Sequence, residues 1–400
     1  MFFSKQFACL ASLLVPALIG GSDSLAIEDV GEQKEIYFYV ATYLYDNDTL
    51  VISTERNDAF GRYCQSKEGV LALASDKFLV AKFIDCNLKN VESVSSWLGA
   101  GRTAQVHCES CDLDSESLGK QAKNWRVTHL YLSQCRINSE KPFELGAANL
   151  LLFSIRQCSV KSVNSPVLVN LGKCKSLKNL ILEGMRVDSV QHLSGCDALS
   201  SIQVIKCEVG EECLASVGDL KIDRLTVDSC DFDESSLSSI ALIHSLKTLR
   251  IKGESVSAAN ISYWGDKLPD LATLTLEEIE LKPDHLRALT RLPKLKALRL
   301  ISCGVSDDLL SALPSIEMLT QLSLRNNPDL TNNAVDVIVR TCQNLKSLDV
   351  EGCSLSDDGI ITAARLKDIS TIYCSAEHIS ENVASRIFLA TLKRVIIIRW

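Results

Sequence analysis

The chain has 400 residues, 46% of them hydrophobic and 23% charged, a globular composition that excludes an intrinsically disordered protein. Its 42 Lys+Arg against 50 Asp+Glu give a formal net charge of -8, without a run of basic residues, so there is no electrostatic signature for binding nucleic acid or an anionic membrane. A chain this long would ordinarily form two or three globular domains, unless it is built from repeats.

Residues 1–26 are predicted to be a cleaved secretory signal peptide. Lys5 is followed by an apolar run over residues 7–19, and the Ser-Leu-Ala sequence ending at Ala26 is a small-x-small cleavage pattern. A short membrane anchor is the alternative, but the apolar run is too short to span a bilayer comfortably. Because no later segment is long and apolar enough to span, we expect a secreted or periplasmic protein without a stable membrane span.

Residues 27–74 are predicted to form an N-terminal cap. Two strand-like runs, at 36–40 and 50–52, flank a polar turn at 46–48, which indicates a β-hairpin. A repeat array exposes its apolar core at each end and needs such a cap. A small independent domain is the alternative, although the segment is short for one.

Residues 75–400 contain the pattern L-x-x-L-x-L-x-x-C/N-x-L, which recurs about every 24 residues. A clear copy has Leu295, Leu298, Leu300, Cys303 and Val305. Each L-x-L pair predicts a short strand, and stacked copies predict a parallel sheet. Helical patterns with capping residues separate the strands. The predicted fold is therefore an α/β solenoid, a horseshoe with a parallel β-sheet on the concave side and helices on the convex side.

Sixteen cysteines in an exported chain would normally predict disulfides, but their positions indicate another role. Eight occupy the turn position three residues after the second leucine, where a small, readily buried thiol can replace asparagine. We therefore expect buried free thiols. The turn cysteines are Cys86, Cys111, Cys135, Cys158, Cys207, Cys230, Cys303 and Cys353.

These repeats resemble leucine-rich repeats, and the use of cysteine in place of asparagine resembles the cysteine-containing and ribonuclease-inhibitor-like classes. The resemblance covers the repeats but not residues 27–74. It also implies an alternative function, because F-box substrate receptors of ubiquitin ligases carry similar repeats. Such receptors have a helical F-box before the repeats, whereas residues 27–74 have a strand-like pattern, and a signal peptide contradicts a cytosolic site.

No sequence motif indicates catalysis or a cofactor. The chain has no H-E-x-x-H, no G-x-S-x-G and no phosphate-binding loop, and its histidines are spread over different repeats. Cys108 and Cys111, with His107 beside them, have redox or metal spacing, but the repeat frame already accounts for both. An enzyme using Cys64 or Cys213, which lie outside the frame, is a third possibility.

The outward strand positions are predicted to form a protein-binding concave face, since they combine polar and aromatic side chains. Some basic residues on neighbouring repeats form either a basic patch or solvated ion pairs with interleaved acidic residues, and ion pairs are favoured. The candidate partner-binding residues are His107, Tyr131, Arg250, Arg299, Arg325, Asp349 and Tyr373. The leading interpretation is an exported, non-catalytic protein that binds another protein.

Residues 394–400 are predicted to associate with a second copy or another strand. Val395 and Ile397 should face the core, which leaves Ile396 and Ile398 facing solvent. A final strand also presents unpaired backbone groups as a template for pairing. The alternative is that the preceding segment folds over this edge.

The signal-peptide assignment predicts cleavage after Ala26, because the small-x-small pattern follows the apolar run directly. N-terminal sequencing of protein exported by an expressing cell should begin at Ile27. Exported protein that begins at Met1 would contradict the assignment.

Overall fold

The computed structural model describes residues 38–43, 47–53, 79–84, 104–114, 122, 126–138, 149–160, 171–187, 191–209, 220–230, 232, 234–253, 256–391 and 395–399. Side chains are described from residue 105 onward. The predicted signal peptide at 1–26 lies outside these residues, as do Cys64, Cys86 and Cys213. The described residues belong to two compact units: unit 1 extends to residue 179 and includes 195–198, and unit 2 comprises 180–194 and 199–400.

Unit 1 contains one main sheet, in the order β1-β2-β3-β4-β6-β8. Its strands are β1 (Phe38–Tyr43), β2 (Asn47–Ser53), β3 (Leu79–Ile84), β4 (Ala104–Glu109), β6 (Val127–Ser133) and β8 (Leu152–Arg156). Strands β1 and β2 pair antiparallel, and β2 then pairs parallel with β3. The described part of residues 27–74 is therefore a pair of strands that extends the sheet, and its role as a cap stays a prediction.

Unit 2 contains a parallel sheet in which strands adjacent in the chain are neighbours. Its strands are β10 (Asn179–Glu183), β12 (Ser201–Ile205), β14 (Arg224–Asp228), β15 (Thr248–Lys252), β16 (Thr273–Glu277), β17 (Ala297–Ile301), β18 (Gln321–Ser323), β19 (Ser347–Val350), β20 (Thr371–Cys374) and β21 (Ile396–Arg399). Each strand with its connection back is one repeat, which confirms the predicted leucine-rich-repeat fold.

The strands stack in register, so the inward and outward side chains form continuous columns. Leu249 pairs with Leu274 and then Leu298, and all three are fully buried. Arg250, one position further along, pairs with Thr275 on the outward face. The period of two along each strand therefore separates core from surface, as the L-x-L pattern predicts.

Helices and 3-10 turns return the chain from one strand to the next. The helices are α1 (Glu234–Ser239), α2 (Ala258–Lys267), α3 (Pro283–Ala288), α4 (Asp307–Leu310), α5 (Asn332–Thr341), α6 (Asp357–Ala363) and α7 (Val383–Thr391). The 3-10 turns are Leu171–Lys173, Gln191–Gly195, Ile240–Leu242 and Leu289–Arg291. None of the described helices is both long and apolar enough to cross a membrane.

Capping residues fix where these helices begin. The Ser306 hydroxyl accepts a hydrogen bond from Leu309 N (3.2 Å) at the start of α4. Ser257 and Asn260 form a reciprocal capping box at the start of α2. Pro283 occupies the first turn of α3, where its missing N–H leaves no intrahelical bond unmade. The hydroxyl and proline signals in the sequence therefore mark helix starts correctly.

Short strands, which the sequence pattern did not predict, lie beyond the bend of several repeats. In unit 1, β5 (Asp112–Asp114), β7 (Arg136–Asn138) and β9 (Ser159–Val160) pair parallel. In unit 2, β11 (Arg186–Val187) pairs with β13 (Glu208–Val209). Their residues Leu113, Ile137 and Val187 are fully buried. The last leucine position of the repeat pattern, which follows the turn, therefore lies in a second, shorter sheet.

In eleven of the described repeats a left-handed residue follows the strand, immediately before the turn position. Its N–H is turned toward the next repeat: Ser229 N donates to Lys252 O (2.8 Å), and Gly253 N donates to Glu277 O (2.9 Å). Non-glycine residues adopt this conformation at most of these bends although it is sterically unfavourable for them. The residues are Ser110, Gln134, Gln157, Gly184, Lys206, Ser229, Gly253, Glu278, Ser302, Asn326 and Gly352.

The buried residue after this bend connects successive repeats, most completely at Asn327. Its Oδ1 accepts hydrogen bonds from Cys303 N (3.0 Å) and Val305 N (2.9 Å). Its Nδ2 donates to Leu300 O (2.8 Å) and Leu324 O (2.7 Å). One side chain thus satisfies backbone groups of both its own bend and the preceding one, which would otherwise be buried without partners.

Cysteines make a weaker version of the same contacts. The Cys303 thiol donates to Leu276 O of the preceding repeat (3.3 Å), and Cys158 Sγ accepts from Cys135 N (3.4 Å). All twelve described cysteines are buried and unbridged. Burial raises the pKa of Cys303 and Cys353 to about 11, and that of Cys174 to about 12.

In strand β21, inward and outward residues alternate as the sequence predicts for the C-terminal segment. Ile397 pairs with the buried Ile372, whereas Ile398 pairs with Tyr373 on the outward face. Val395 is buried and Ile396 is 62% exposed. Association through residues 394–400 stays a prediction.

The hydrogen bonds of Asn327 predict a graded response to substitution. Asn327→Ala leaves five backbone groups without this partner and should lower the free energy of unfolding by about 3–5 kcal/mol. Asn327→Cys should lower the free energy of unfolding by less, because cysteine thiols at equivalent bends make some of the hydrogen bonds to the preceding repeat. Urea unfolding monitored by circular dichroism measures both. The exposed Asn333→Ala is the matched control, and equal midpoints for the alanine and cysteine variants would refute the role of the turn side chain.

The raised pKa values of Cys174, Cys303 and Cys353 predict that these three thiols resist alkylation in the native protein. At pH 8 their thiols are protonated and buried, so iodoacetamide should modify them only after unfolding, as read by peptide mass mapping. Above about pH 9 the unfolded chain ionises these thiols while the folded chain keeps them protonated, so stability should fall between about pH 9 and 11. Rapid native alkylation of Cys303, or a disulfide between Cys111 and Cys135, would contradict this.

Candidate interaction surface

The described outward side chains on the main sheet of each unit form a surface that we call the strand face of that unit. In unit 2 its central column runs through consecutive strands in direct register. The column consists of Gln203, Thr226, Arg250, Thr275, Arg299, Ser323, Asp349, Tyr373 and Ile398. Neighbouring members are about 4.8 Å apart, the spacing of hydrogen-bonded strands.

On the strand face of unit 1, His107 and Tyr131 stack on each other. They occupy paired positions of β4 and β6, and their ring centroids lie 4.2 Å apart with an interplanar angle of 12°. Both side chains are partly exposed. The two predicted site residues of this unit are therefore in contact and present a flat aromatic surface, a common anchor in protein interfaces.

Polar groups surround this aromatic pair. Arg156 Nε donates to the Ser154 hydroxyl (3.2 Å), and Ser154 is the register partner of Tyr131. Burial raises the pKa of Tyr131, and the nearby Arg156 opposes that rise. Burial also lowers the pKa of His129, which favours its neutral form. The Tyr131 hydroxyl is thus uncharged and available as a hydrogen-bonding group.

On the strand face of unit 2, Glu277 pairs with two basic side chains. Arg250 approaches Glu277 at 2.6 Å and Lys252 approaches it at 3.1 Å, with a further contact from Lys252 to Glu278 at 3.2 Å. Burial disfavours ionisation of Glu277, but hydrogen bonds from Arg250 and Lys252 outweigh it and lower its pKa. The group is internally neutralised, which favours ion pairs over a basic patch at Arg250.

The next predicted residues are also engaged with their neighbours. Arg325 contacts Glu351 at 2.8 Å, and the Glu351 side chain is mostly buried. Asp349 accepts hydrogen bonds from the Ser323 hydroxyl (2.8 Å) and from Glu351 N (3.2 Å). These bonds hold the Asp349 carboxylate in a fixed position on the face while leaving it partly exposed.

Arg299 differs from the other arginines of this face. Its described polar contact is to the neutral Gln321 side chain, at 3.3 Å, and none of the ion pairs among the described residues includes it. Its register partners Thr275 and Ser323 are short and almost buried. The guanidinium is therefore positioned on the face without a carboxylate.

Tyr373 lies beside apolar residues that the sequence analysis did not include in the site. It pairs with Ile398, and the adjacent outward residue of β21 is the exposed Ile396. The signal was available in the sequence, since the outward facing of both isoleucines followed from the strand period. The proximity of Tyr373 to them was not, because it requires the register between β20 and β21.

The structure thus assembles the seven predicted residues into separate groups. His107 and Tyr131 form the stacked pair of unit 1. In unit 2, Arg299, Asp349 and Tyr373 share the central column, while Arg250 belongs to the same column but is tied to Glu277. Arg325 lies just beyond β18 and is paired with Glu351.

Residues with catalytic or metal-binding potential have structural partners instead. Cys108 and Cys111 are buried, and the Cys111 thiol donates to Glu109 O (3.2 Å). His285 is buried, with Nδ1 accepting from Lys282 N (2.9 Å) and Nε2 lying 2.8 Å from Val256 O. Among the described residues, no three His, Cys, Asp or Glu side chains converge as metal ligands.

Comparisons with known proteins give distant similarities. No family model matches the chain. NLR family CARD domain-containing protein 4 of Bos taurus is 23% identical over 300 residues, which are 69% of this chain and 28% of that protein. The chain thus matches less than a third of that relative's length.

Two solved structures from Listeria monocytogenes are also similar to this chain. An internalin, InlF, is 14% identical with a TM-score of 0.46, covering 96% of this chain and 93% of that one. Internalin C2 is 19% identical with a TM-score of 0.34, covering 45% of this chain and 74% of that one.

Proposed function

Because the chain is a leucine-rich-repeat protein, we propose that it is an exported, non-catalytic interaction protein that binds a protein partner through its strand faces. The observation that carries this proposal is the in-register central column of unit 2. It presents charged, hydroxyl, aromatic and aliphatic side chains on one surface. A parallel sheet holds them at fixed spacing, so little conformational freedom is lost on binding.

The composition of this surface suits a protein rather than a regular polymer. Along the column the side chains change from basic Arg299, through Ser323, to acidic Asp349 and aromatic Tyr373, so there is no repeated side chain to match a repeating ligand. Aromatic and arginine side chains also dominate the energetics of protein interfaces. The column therefore favours a partner with a varied surface.

Export is the second element of the proposal. It rests on the signal pattern in residues 1–26, and it separates this function from that of an F-box receptor acting in the cytosol. The described strands β1 and β2 also differ from the helical F-box that such a receptor carries before its repeats. Localisation of the full-length tagged chain distinguishes the two functions.

Tyr131→Ala and Tyr373→Ala should each weaken binding of a partner isolated by affinity capture with the exported chain. Truncation of an aromatic anchor at the centre of an interface costs about 1–2 kcal/mol or more, equivalent to roughly 5- to 30-fold in Kd. Isothermal titration calorimetry measures the change, and thermal unfolding confirms that the variants remain folded.

Asp308→Ala, an exposed change in the first turn of α4 on the opposite side of the sheet, is the control and should leave Kd unchanged. If Asp308→Ala weakens binding as much as the tyrosine variants at unchanged stability, the strand face is not the binding surface.

A further inference from the structure

The charges on the strand face of unit 2 are mostly satisfied within the chain. Arg250 and Lys252 share Glu277, Arg325 pairs with Glu351, and Arg224 lies 3.5 Å from Asp223. A partner carboxylate that approached any of these cations would have to compete with a carboxylate already in place. These residues therefore contribute little net attraction for an acidic partner.

Arg299 is the exception. A guanidinium has five N–H donors, and the described contacts of Arg299 use one of them, on the neutral Gln321 oxygen at 3.3 Å. The short Thr275 and Ser323 on either side are each 7% exposed and do not rise above it. A carboxylate can therefore approach Arg299 from solvent and form the bidentate pair that a guanidinium favours.

The residues that follow Arg299 in the column indicate which other groups of the partner would bind beside this carboxylate. Ser323 and Asp349 follow on the next two strands, and then Tyr373 and Ile398 form an aromatic and aliphatic pair. Arg299 and Tyr373 are three strands apart, about 14 Å at the usual strand spacing. An extended peptide covers that distance in about four residues.

We infer that Arg299 binds an aspartate or glutamate of the protein partner, in an extended segment whose apolar residue, about four positions away, packs on Tyr373 and Ile398. This inference rests on the proposed function and specifies the chemistry of the partner. The Asp349 carboxylate lies between the two contacts and repels a second acidic residue there. Charge complementarity therefore places the acidic residue of the segment at Arg299 rather than beside Asp349.

A phage-displayed library of random dodecapeptides, selected against the full chain, tests the inference. Peptides selected by the wild-type chain should be enriched in Asp or Glu three to five positions from an aromatic or aliphatic residue. Synthetic versions should bind Arg299→Gln about tenfold more weakly, the loss of one well-placed charge-assisted contact. Arg299→Lys should recover part of the affinity, because it restores the charge without the fork geometry.

Arg224→Gln is the matched control. It removes the same charge from the same strand face, but at an arginine that already faces Asp223, and should leave peptide affinity within about twofold of wild type. Circular dichroism and thermal unfolding establish that each variant is folded.

The outcomes separate this inference from the proposed function. Peptides that lose affinity for Tyr373→Ala but show no acidic enrichment, or that bind Arg299→Gln as tightly as wild type, overturn the role of Arg299 alone. Peptides insensitive to both Tyr373→Ala and Arg299→Gln overturn binding on this face as well. Failure to select any peptide counts against both.

Discussion

The contact on which the fold depends is the one between a buried turn side chain and the backbone of the preceding repeat. At Asn327 a single side-chain amide bonds two N–H groups and three carbonyls. At the cysteine positions a thiol makes the corresponding contact to the preceding strand, as Cys303 does to Leu276 O. These bends run through the interior, where backbone groups left without partners would each cost free energy. Satisfying them sets the rise from one repeat to the next.

A fixed rise has a direct consequence for the surface. Each strand is held in register with its neighbour, so side chains at equivalent positions form columns. Charged residues in adjacent columns then meet at the distances needed for ion pairs, as Glu277 does with Arg250 and Lys252. The repeat geometry thus neutralises much of its own surface. In the interaction that we propose, selectivity therefore depends on Arg299, which has no ion-pair partner among the described residues, and on the apolar group around Tyr373.

The repeat pattern was sufficient to predict the columns but not their chemistry. The alternation of inward and outward residues depends on strand period alone, and the predicted outward residues Arg250, Arg299, Asp349 and Tyr373 all lie in the central column. Whether a given arginine is free or paired depends on side-chain reach across strands. Sequence spacing of about 24 residues places Arg250 and Arg299 at the same strand position and Arg325 two residues beyond it, yet Arg250 and Arg325 have carboxylate partners and Arg299 contacts the neutral Gln321.

The sequence by itself determined the solenoid, the strand positions, the helix starts and the burial of the turn cysteines, because these follow from hydrophobic period and local capping chemistry. The tertiary structure alone decided the short second sheets, the left-handed bends at non-glycine residues, the stacking of His107 on Tyr131 and the packing of Ile398 beside Tyr373. Each of these joins residues more than twenty positions apart, or imposes a conformation that the local sequence disfavours. Such features arise only when neighbouring repeats stack and satisfy one another's backbone.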